Sequence, residues 1–351
     1  MDFSIAAILV QDGWTNGAVY ALIALALVLV FSVTRVIFIP QGEYLAFAAL
    51  TLAGLQAGQF PRIVWMLIAL GAAVFIVDLA AALLHRHRHD VVLHWRSVVV
   101  SGLKNLAYPQ ALLLAIEAMP SDGIGTPLAI VLTFLLVAPM GAMLYRLVFQ
   151  PAAEASVLVL LIISVGLHFV LLGCGLLIFG PEGARALPLT NASWDWAGVM
   201  VTGQSLAVIL AALLLIGVLY AYFEYTLAGT ALRATAVNRV GARLVGIGTA
   251  RAGRMAFSVS AVLGVVAGIL VSPITTMQYD TGFVIALKGF VAAIVGALAS
   301  YPMAAAGAVL VGLLESFGSF WASAYKEVIV FTLIIPVLVW RSLTARHVEE
   351  S

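Results

Sequence analysis

Four groups of residues in this sequence have types and spacings that could do chemistry. The first is His85-Arg86-His87-Arg88-His89-Asp90, followed by His94. His85 and His89 share a face on a helix, and His85, His87 and His89 share one on a strand. Either arrangement can hold a transition metal. An intramembrane di-metal oxygenase needs further histidine boxes, and only His168 and His347 remain, far apart in the chain. The simpler reading is a basic interfacial turn. The second group is Gln41-Gly42-Glu43, preceded by Pro40 and flanked by apolar runs. An amide and a carboxylate at membrane depth are costly and mark function. A helix break there frees backbone groups that must face protein or a cavity. The alternative is an ordinary turn with Glu43 at a helix N-terminus, where negative charge is favoured.

The third group is Lys288, in "ALKGFVAAIVG", and Glu315, in "GLLESFG". Lys288 either snorkels to an interface or faces an aqueous path. The two residues fall on consecutive apolar segments; a pair between them is open, and the sequence does not decide it. Asp78 and Glu117 read as charges at segment ends. The fourth group is residues 231–254, "ALRATAVNRVGARLVGIGTARAGR", with Arg233, Arg239, Arg243, Arg251 and Arg254 and no acid. A nucleic-acid surface needs aromatic or polar readers among its basic residues, and this stretch has no aromatic residue. Ala234, Ala236, Ala242, Leu244 and Ile247 form an apolar component that Gly246 and Gly248 end. That pattern predicts a short amphipathic helix stopped by glycine. It would lie along the membrane and face anionic headgroups or a partner protein.

The elements that must position these groups follow from composition. The chain is 64% hydrophobic and 9% charged, with a mean hydropathy of +1.14. Soluble domains carry about a quarter charged residues, so the solvent for most of this chain is lipid. Its apolar runs are continuous rather than alternating, which selects helices over a barrel. Crossing a bilayer takes roughly 20 apolar residues. Candidate spans are 15–33, 43–59, 63–84, 98–118, 127–147, 156–179, 205–225, 255–272, 284–299, 303–321 and 327–341. The weakest is 98–118, which holds Lys104, Asn105 and the helix-breaking pair Tyr108-Pro109. The expected fold class is therefore all-α: a polytopic integral membrane helix bundle of about 9–11 transmembrane segments. Residues 1–351 read as a single transmembrane domain. Gly13/Gly17, Gly54/Gly58 and Gly264/Gly268 have the spacing that brings helix backbones close.

Basic residues set the orientation. Asp2 and Asp12 precede the first span and Arg35 follows it, which places the N-terminus outside. Arg35, Arg86, Arg88, Arg96, Arg146, the five arginines of 231–254, Arg341 and Arg346 then fall inside. Arg62, Lys104, Arg185, Lys288 and Lys326 fall outside or within spans. The C-terminus is expected in the cytoplasm. The N-terminus lacks a basic leader region and a cleavage site, so the first span is expected to stay in the membrane. Trp14, Trp65, Trp321 and Trp340 fall at span ends, where amphipathic rings prefer to lie. Cys174, the single cysteine, can form no intramolecular disulfide. The chain has no G-x-x-x-x-G-K-[ST] sequence and hence no P-loop.

Several ordered segments resemble the permease subunits of ATP-binding-cassette importers for branched-chain amino acids, in particular the H-type permease. "NGAVYALIALALVLVFSVTRVIFIPQGEYL" is similar to that family's first span and following turn. "YRLVFQP", "LRATAVNRVGARLVGIGTARAGRMAFSVSAVLGVVAGIL", "LKGFVAAIVGALAS", "GLLESF" and "AYKEVIVF" resemble later segments in order. The resemblance implies that 228–254 is a cytoplasmic coupling loop docking on a partner ATPase. Arg233, Ala234, Asn238, Ala242, Leu244, Gly246 and Ile247 match the family pattern there. Val240 and Gly241 depart from it, as does Gln41-Gly42-Glu43 with the preceding Ile39-Pro40. Residues 85–126 read as an inserted hairpin. Gln41, Gly42, Glu43, Lys288 and Glu315 are the candidates for the translocation pathway.

The implied chain catalyses nothing and binds no metal or cofactor. ATP and Mg belong to two cytoplasmic ATPase subunits. A second, M-type permease and an extracytoplasmic substrate-binding protein complete the assembly, in a bacterial inner membrane. The expected substrate is a branched-chain or other small amino acid. Urea or short amides are the alternative within the same architecture. A self-sufficient ion-coupled secondary transporter is the alternative from another class.

Overall fold

In lipid a backbone must satisfy its own hydrogen bonds, and the apolar runs of this chain form helices accordingly. The computed structural model describes residues 3–89, 95–118, 124–196, 199–298, 300–339 and 343. The histidine cluster lies outside what is described: Asp90 to His94 entirely, and the side chains of His85, His87 and His89. Trp340, Arg341, Arg346 and His347 lie outside it as well.

The element order is α1 (Phe3–Thr34), α2 (Gln41–Gln56), α3 (Ile63–His89), α4 (Trp95–Gly102) and α5 (Tyr108–Glu117). Then come α6 (Thr126–Val137), α7 (Pro139–Leu144) and α8 (Val157–Phe179). A two-stranded antiparallel hairpin follows, β1 (Ser193–Trp196) and β2 (Val199–Thr202), within the long connection to α9 (Gly203–Tyr225). Next are α10 (Leu227–Val237), α11 (Arg239–Leu244), α12 (Thr249–Val271), α13 (Thr281–Val295), α14 (Tyr301–Trp321) and α15 (Lys326–Thr332). Eight described helical segments are long and apolar enough to cross a membrane: Ser4–Thr34, Ile63–Leu83, Val99–Glu117, Thr126–Phe149, Val157–Phe179, Gly203–Tyr225, Thr249–Val271 and Tyr301–Trp321. The chain is thus an all-α polytopic membrane protein.

Three expected spans differ. In place of 43–59 stands α2, with 16 residues, and in place of 284–299 stands α13, with 15. Both are too short to cross unaided. The segment expected at 327–341 is interrupted at Leu333. Conversely, 98–118 is a continuous helical stretch. Pro109 offers no N–H to the Asn105 carbonyl, and the preceding turn widens into a π-helix, Leu103–Ala107. The Asn105 carbonyl instead packs on Gly71 of α3, where any side chain would collide with it. Asp78 is not a segment-end charge. It lies inside α3, accepts from Ser101 at 2.6 Å and pairs with Arg146 at 2.6 Å.

Helix α1 is the axis of the bundle, buried without interruption from Val19 to Val30. It lies against α14 with glycines on both sides. A Cβ on Gly312 would strike the Gly13 carbonyl and the Gly17 backbone, and one on Gly17 would strike Val309. Ser316 donates to the Leu9 carbonyl at 2.7 Å along the same seam. Gly264 and Gly268 admit Tyr44 and Leu45 of α2 in the same way. Gly54/Gly58 is not a packing pair: Gly54 meets only Gln59, and Gly58 turns the chain with φ 72°.

Gly312→Leu is expected to destabilise the chain by about 1–3 kcal/mol through overpacking, read as a lower melting temperature in detergent. Gly217→Ala, in α9 with open space around its Cα, is expected to hold or gain up to about 1 kcal/mol. Equal melting of the two variants would contradict this packing.

Candidate functional site

Between α1 and α2 the chain leaves the helix for residues 35–40. Burial alternates along it: Val36, Phe38 and Pro40 are buried, while Arg35, Ile37 and Ile39 are less so. Phe38 anchors it within a ring cluster with Tyr44, Phe149 and Phe257. The segment is a turned connection rather than a strand: Arg35 has φ 63°, and the Ile39 and Gln41 amides bond the Ile37 and Phe38 carbonyls. The 16 residues of α2 span only about 24 Å, so α2 begins partway through the membrane. Two rulers fix that depth. Gln41 bonds Ser260, the twelfth residue of the 23-residue α12. Glu43 pairs with His168, the twelfth residue of the 23-residue α8. The N-terminus of α2 thus sits at half-height between full-length helices.

Each polar group there has a defined partner. Gln41 Nε2 donates to the Ser260 carbonyl at 3.0 Å, and Ser260 Oγ donates to Gln41 Oε1 at 2.5 Å. The Ile39 amide donates to Ser164 Oγ at 2.8 Å. Glu43 Oε1 meets His168 Nδ1, and Glu43 is only 2% exposed. The second oxygen, Oε2, is buried with no hydrogen-bond partner among the described residues. The His168 ring stacks on Phe283 of α13, with centroids 4.4 Å apart and planes at 30°. Helix α13 begins at this level too, because Gly42 and Gly282 touch. A Cβ on either would hit the other's carbonyl. Two half-length helices therefore meet at their N-terminal ends at half-height. Their dipoles favour negative charge at those ends, which suits the carboxylate of Glu43.

Lys288 and Glu315 are brought together, but not with Gln41–Glu43. Gly282 and Ala286 put one face of α13 on α2, and Gly289 puts another on Ile23 of α1. On that side Lys288 Nζ bonds Glu315 Oε1 at 2.5 Å and Glu327 Oε1 at 3.2 Å. Tyr20 of α1 donates to the other oxygen of Glu315. Lys288 does not snorkel: it is 5% exposed and ion-paired within the bundle. It is a buried tie joining α1, α13, α14 and α15.

The arginine-rich stretch runs through the end of α10, all of α11 and the start of α12, rather than forming the single short helix expected; α10 and α11 make up its first part. Asn238 separates them and caps α11, its Oδ1 accepting from the Gly241 amide at 2.9 Å. Gly246, with φ 85°, ends α11. The Gly246 amide bonds the Arg243 carbonyl and the Ile247 amide bonds that of Ala242, the pairing of a Schellman stop. Ala242 is buried, Ala236 and Ile247 are half-buried, and Arg233, Ala234, Asn238 and Leu244 are exposed. Leu244 is 83% exposed. Leu232 of α10 packs with Leu29 and Val33 at the end of α1. Several arginines act as struts. Arg239 donates to the Ala153 carbonyl at 2.9 Å, Arg243 pairs with Glu154 at 3.0 Å, and Arg233 pairs with Glu224 at 2.6 Å. Residues 153–154 lead directly into Ser156, the N-cap of α8. Helix α11 is thereby bonded to the start of the helix that carries Ser164 and His168.

Sequence reasoning missed His168 and Ser164. The available signal was a lone histidine in the middle of "VLVLLIISVGLHFVLLGCG", where an ionisable group at membrane depth calls for a partner. Among the described residues no three His, Cys, Asp or Glu side chains gather as metal ligands.

Fold and site together define an integral membrane protein of many spans with its paired polar groups at half-height. The chain belongs to the family described as branched-chain amino acid transport system / permease component, whose family model matches residues 95–338. It is 29% identical over 201 residues to the high-affinity branched-chain amino acid transport system permease protein LivH of Escherichia coli K12. That match covers 55% of this chain and 65% of LivH, so it spans just under two thirds of the relative's length. LivH of Salmonella typhimurium is similar to the same degree. BraD of Pseudomonas aeruginosa is 25% identical over 248 residues, covering 67% of this chain and 79% of BraD. No solved structure matches the chain. His168, Lys288, Glu315 and α10–α11 lie inside the region that the family model matches, and Gln41–Glu43 precede it.

Lys288→Met strands two carboxylates and is expected to lose about 3–5 kcal/mol, measured by thermal melting. Lys288→Met combined with Glu315→Leu is expected to recover part of that loss, because it removes the more deeply buried of the two stranded carboxylates. A single variant that melts like wild type would contradict the tie.

Proposed function

We propose that this chain is the transmembrane permease half of an ATP-driven, binding-protein-dependent importer for branched-chain or other small amino acids. Its N-terminus lies outside and its C-terminus in the cytoplasm of a bacterial inner membrane. The names of LivH and BraD support the substrate class. The positive-inside rule supports the orientation, since Arg35, Arg146 and residues 231–254 collect at one end. The whole chain acts as one transmembrane domain, with 85–126 an inserted hairpin and 228–254 the coupling loop. Two ATPase subunits carrying ATP and Mg, a second permease and an outside binding protein are its partners.

The observation that carries this reading is the bonded route from α11 to half-height. Helices α10 and α11 present Arg233, Ala234, Asn238, Leu244 and Gly246 to a partner, while Ala242 and Ile247 seat them on the bundle. An ATPase that moves α11 pulls on Ala153 and Glu154 through Arg239 and Arg243. Helix α8 then shifts as a unit, and with it Ser164 and His168. Their bonds to Ile39 and Glu43 close the path beneath the two half-helices, and breaking them opens it. Freed of His168, Glu43 has a carboxylate at half-height suited to an ammonium group, beside Gln41 and the close turn at Gly42. Lys288 and Glu315 take part by holding α13 in place.

The test uses membranes carrying the chain with its partner subunits and measures ATP hydrolysis stimulated by ligand-loaded binding protein. Leu244→Asp, at an exposed position, and Gly246→Pro, which cannot adopt φ 85°, are both expected to abolish stimulation. Neither is expected to alter membrane insertion. Unchanged stimulation in Leu244→Asp, or uptake by this chain alone under an ion gradient, would overturn the reading.

A further inference from the structure

At the arginine-bearing end, an open groove of about 320 Å³ lies between the end of α1, the start of α8 and α11. Arg35, Arg239 and Arg243 line it, with Glu154 as its one acid. Glu154 is taken by Arg243 at 3.0 Å. Arg239 gives one N–H to the Ala153 carbonyl, and its Nε is buried with no hydrogen-bond partner. Arg35 is exposed and held at φ 63°, a conformation that turns the chain abruptly out of α1. Two cationic side chains therefore face one groove in which, among the described residues, no unpaired acid is left to neutralise them. The groove is therefore electropositive, and the guanidinium N–H donors that line it suit acceptor oxygens.

We infer that this groove binds a phosphate-bearing anion. Phosphate oxygens match the planar fork of arginine and can accept from several donors at once. The positive end of the 23-residue α8, capped by Ser156, adds to the attraction. The source favoured by the surroundings is the headgroup of an anionic phospholipid. The groove lies where helices end, at the depth of a headgroup layer. Its wall continues into Val157 and Leu160 of α8, beside exposed Leu158 and Ile162, an apolar track for an acyl chain. Basic pockets between spans on the cytoplasmic side are suited to such headgroups. A bound phosphate would bridge Arg35, which ends α1, to Arg239 on α11, and so stiffen the joint through which α11 meets α8. Binding itself needs neither the partner subunits nor transport.

The purified full-length chain in detergent is the material, with native mass spectrometry and thermal melting as readouts. The probes are phosphatidylglycerol, phosphatidylcholine and inorganic phosphate. Phosphatidylglycerol is expected to be retained and to raise the melting temperature, and phosphatidylcholine to do so far less. Arg239→Gln and Arg35→Gln are each expected to weaken retention about tenfold, while Arg62→Gln, with the same charge change elsewhere, leaves it intact. Arg35→Gln guards against a local folding defect, because Arg35 is exposed rather than packed. Protection by inorganic phosphate that both groove variants lose would support the site and assign it to a free anion. Retention of phosphatidylglycerol that is equal in wild type and both groove variants would overturn it, as would no response to any probe.

Discussion

A chain that leaves the helix inside lipid must find partners for every backbone group it exposes. Residues 35–40 do this between the arginine-bearing end and half-height, and the surrounding arrangement follows from how they manage it. The Ile39 amide takes Ser164 of α8. Phe38 fills the aromatic cluster against Phe149 and Phe257. Pro40 then lets α2 start with Gln41, Gly42 and Glu43 facing α12, α13 and α8 in turn. Because Gly42 and Gly282 have no side chains, α2 and α13 touch at that point. A break that would be prohibitively costly in hydrocarbon is stabilised by contacts from three helices. It leaves one carboxylate oxygen buried and unbonded at the centre.

The two ionic clusters divide the work by the faces of α13. On one face Lys288 is enclosed by Glu315, Glu327 and Tyr20, a dense arrangement that suits a fixed joint. On the other face Glu43 has one partner, His168, and that partner belongs to α8. Helix α8 is largely exposed along its length and reaches the core through Leu160, Ser164, Leu167, His168, Leu171 and Gly175. A helix attached along one stripe can shift more readily than α1, which is enclosed on all sides. In the proposed mechanism α8 is the lever, α11 its handle and the Glu43–His168 contact the closed end.

Much of the fold was legible in the sequence because apolar length is a direct consequence of bilayer thickness. The eight long helices correspond to eight of the expected spans. The errors fell where backbone geometry overrides hydropathy. Residues 43–59 and 284–299 carry enough apolar residues to pass as spans, and hydropathy does not register that 35–40 leaves the helix or that Gly42 must meet Gly282. The pairing of Lys288 with Glu315 was open in the sequence and needed coordinates to decide, as did its position away from Gln41–Glu43, which depends on the faces of α13. His168 escaped notice because a single histidine has no motif, and its partner lies 125 positions away. Arginine number in 231–254 reflected the side of the membrane. The Asn238 break and the struts to Ala153 and Glu154 needed coordinates, since no local pattern links residue 239 to residue 153.

The central claim is that α8 must part from residues 35–40 for transport to proceed. It is tested most directly by joining the two. In a Cys174→Ala background, Ser164→Cys puts a thiol in place of the hydroxyl that the Ile39 amide now meets at 2.8 Å, and Ile39→Cys puts the second on that same residue of the connection. Uptake is measured in membranes carrying the partner subunits, before and after oxidation. The account predicts that the cross-link stops uptake and that reduction restores it. Full uptake with the cross-link formed would contradict it.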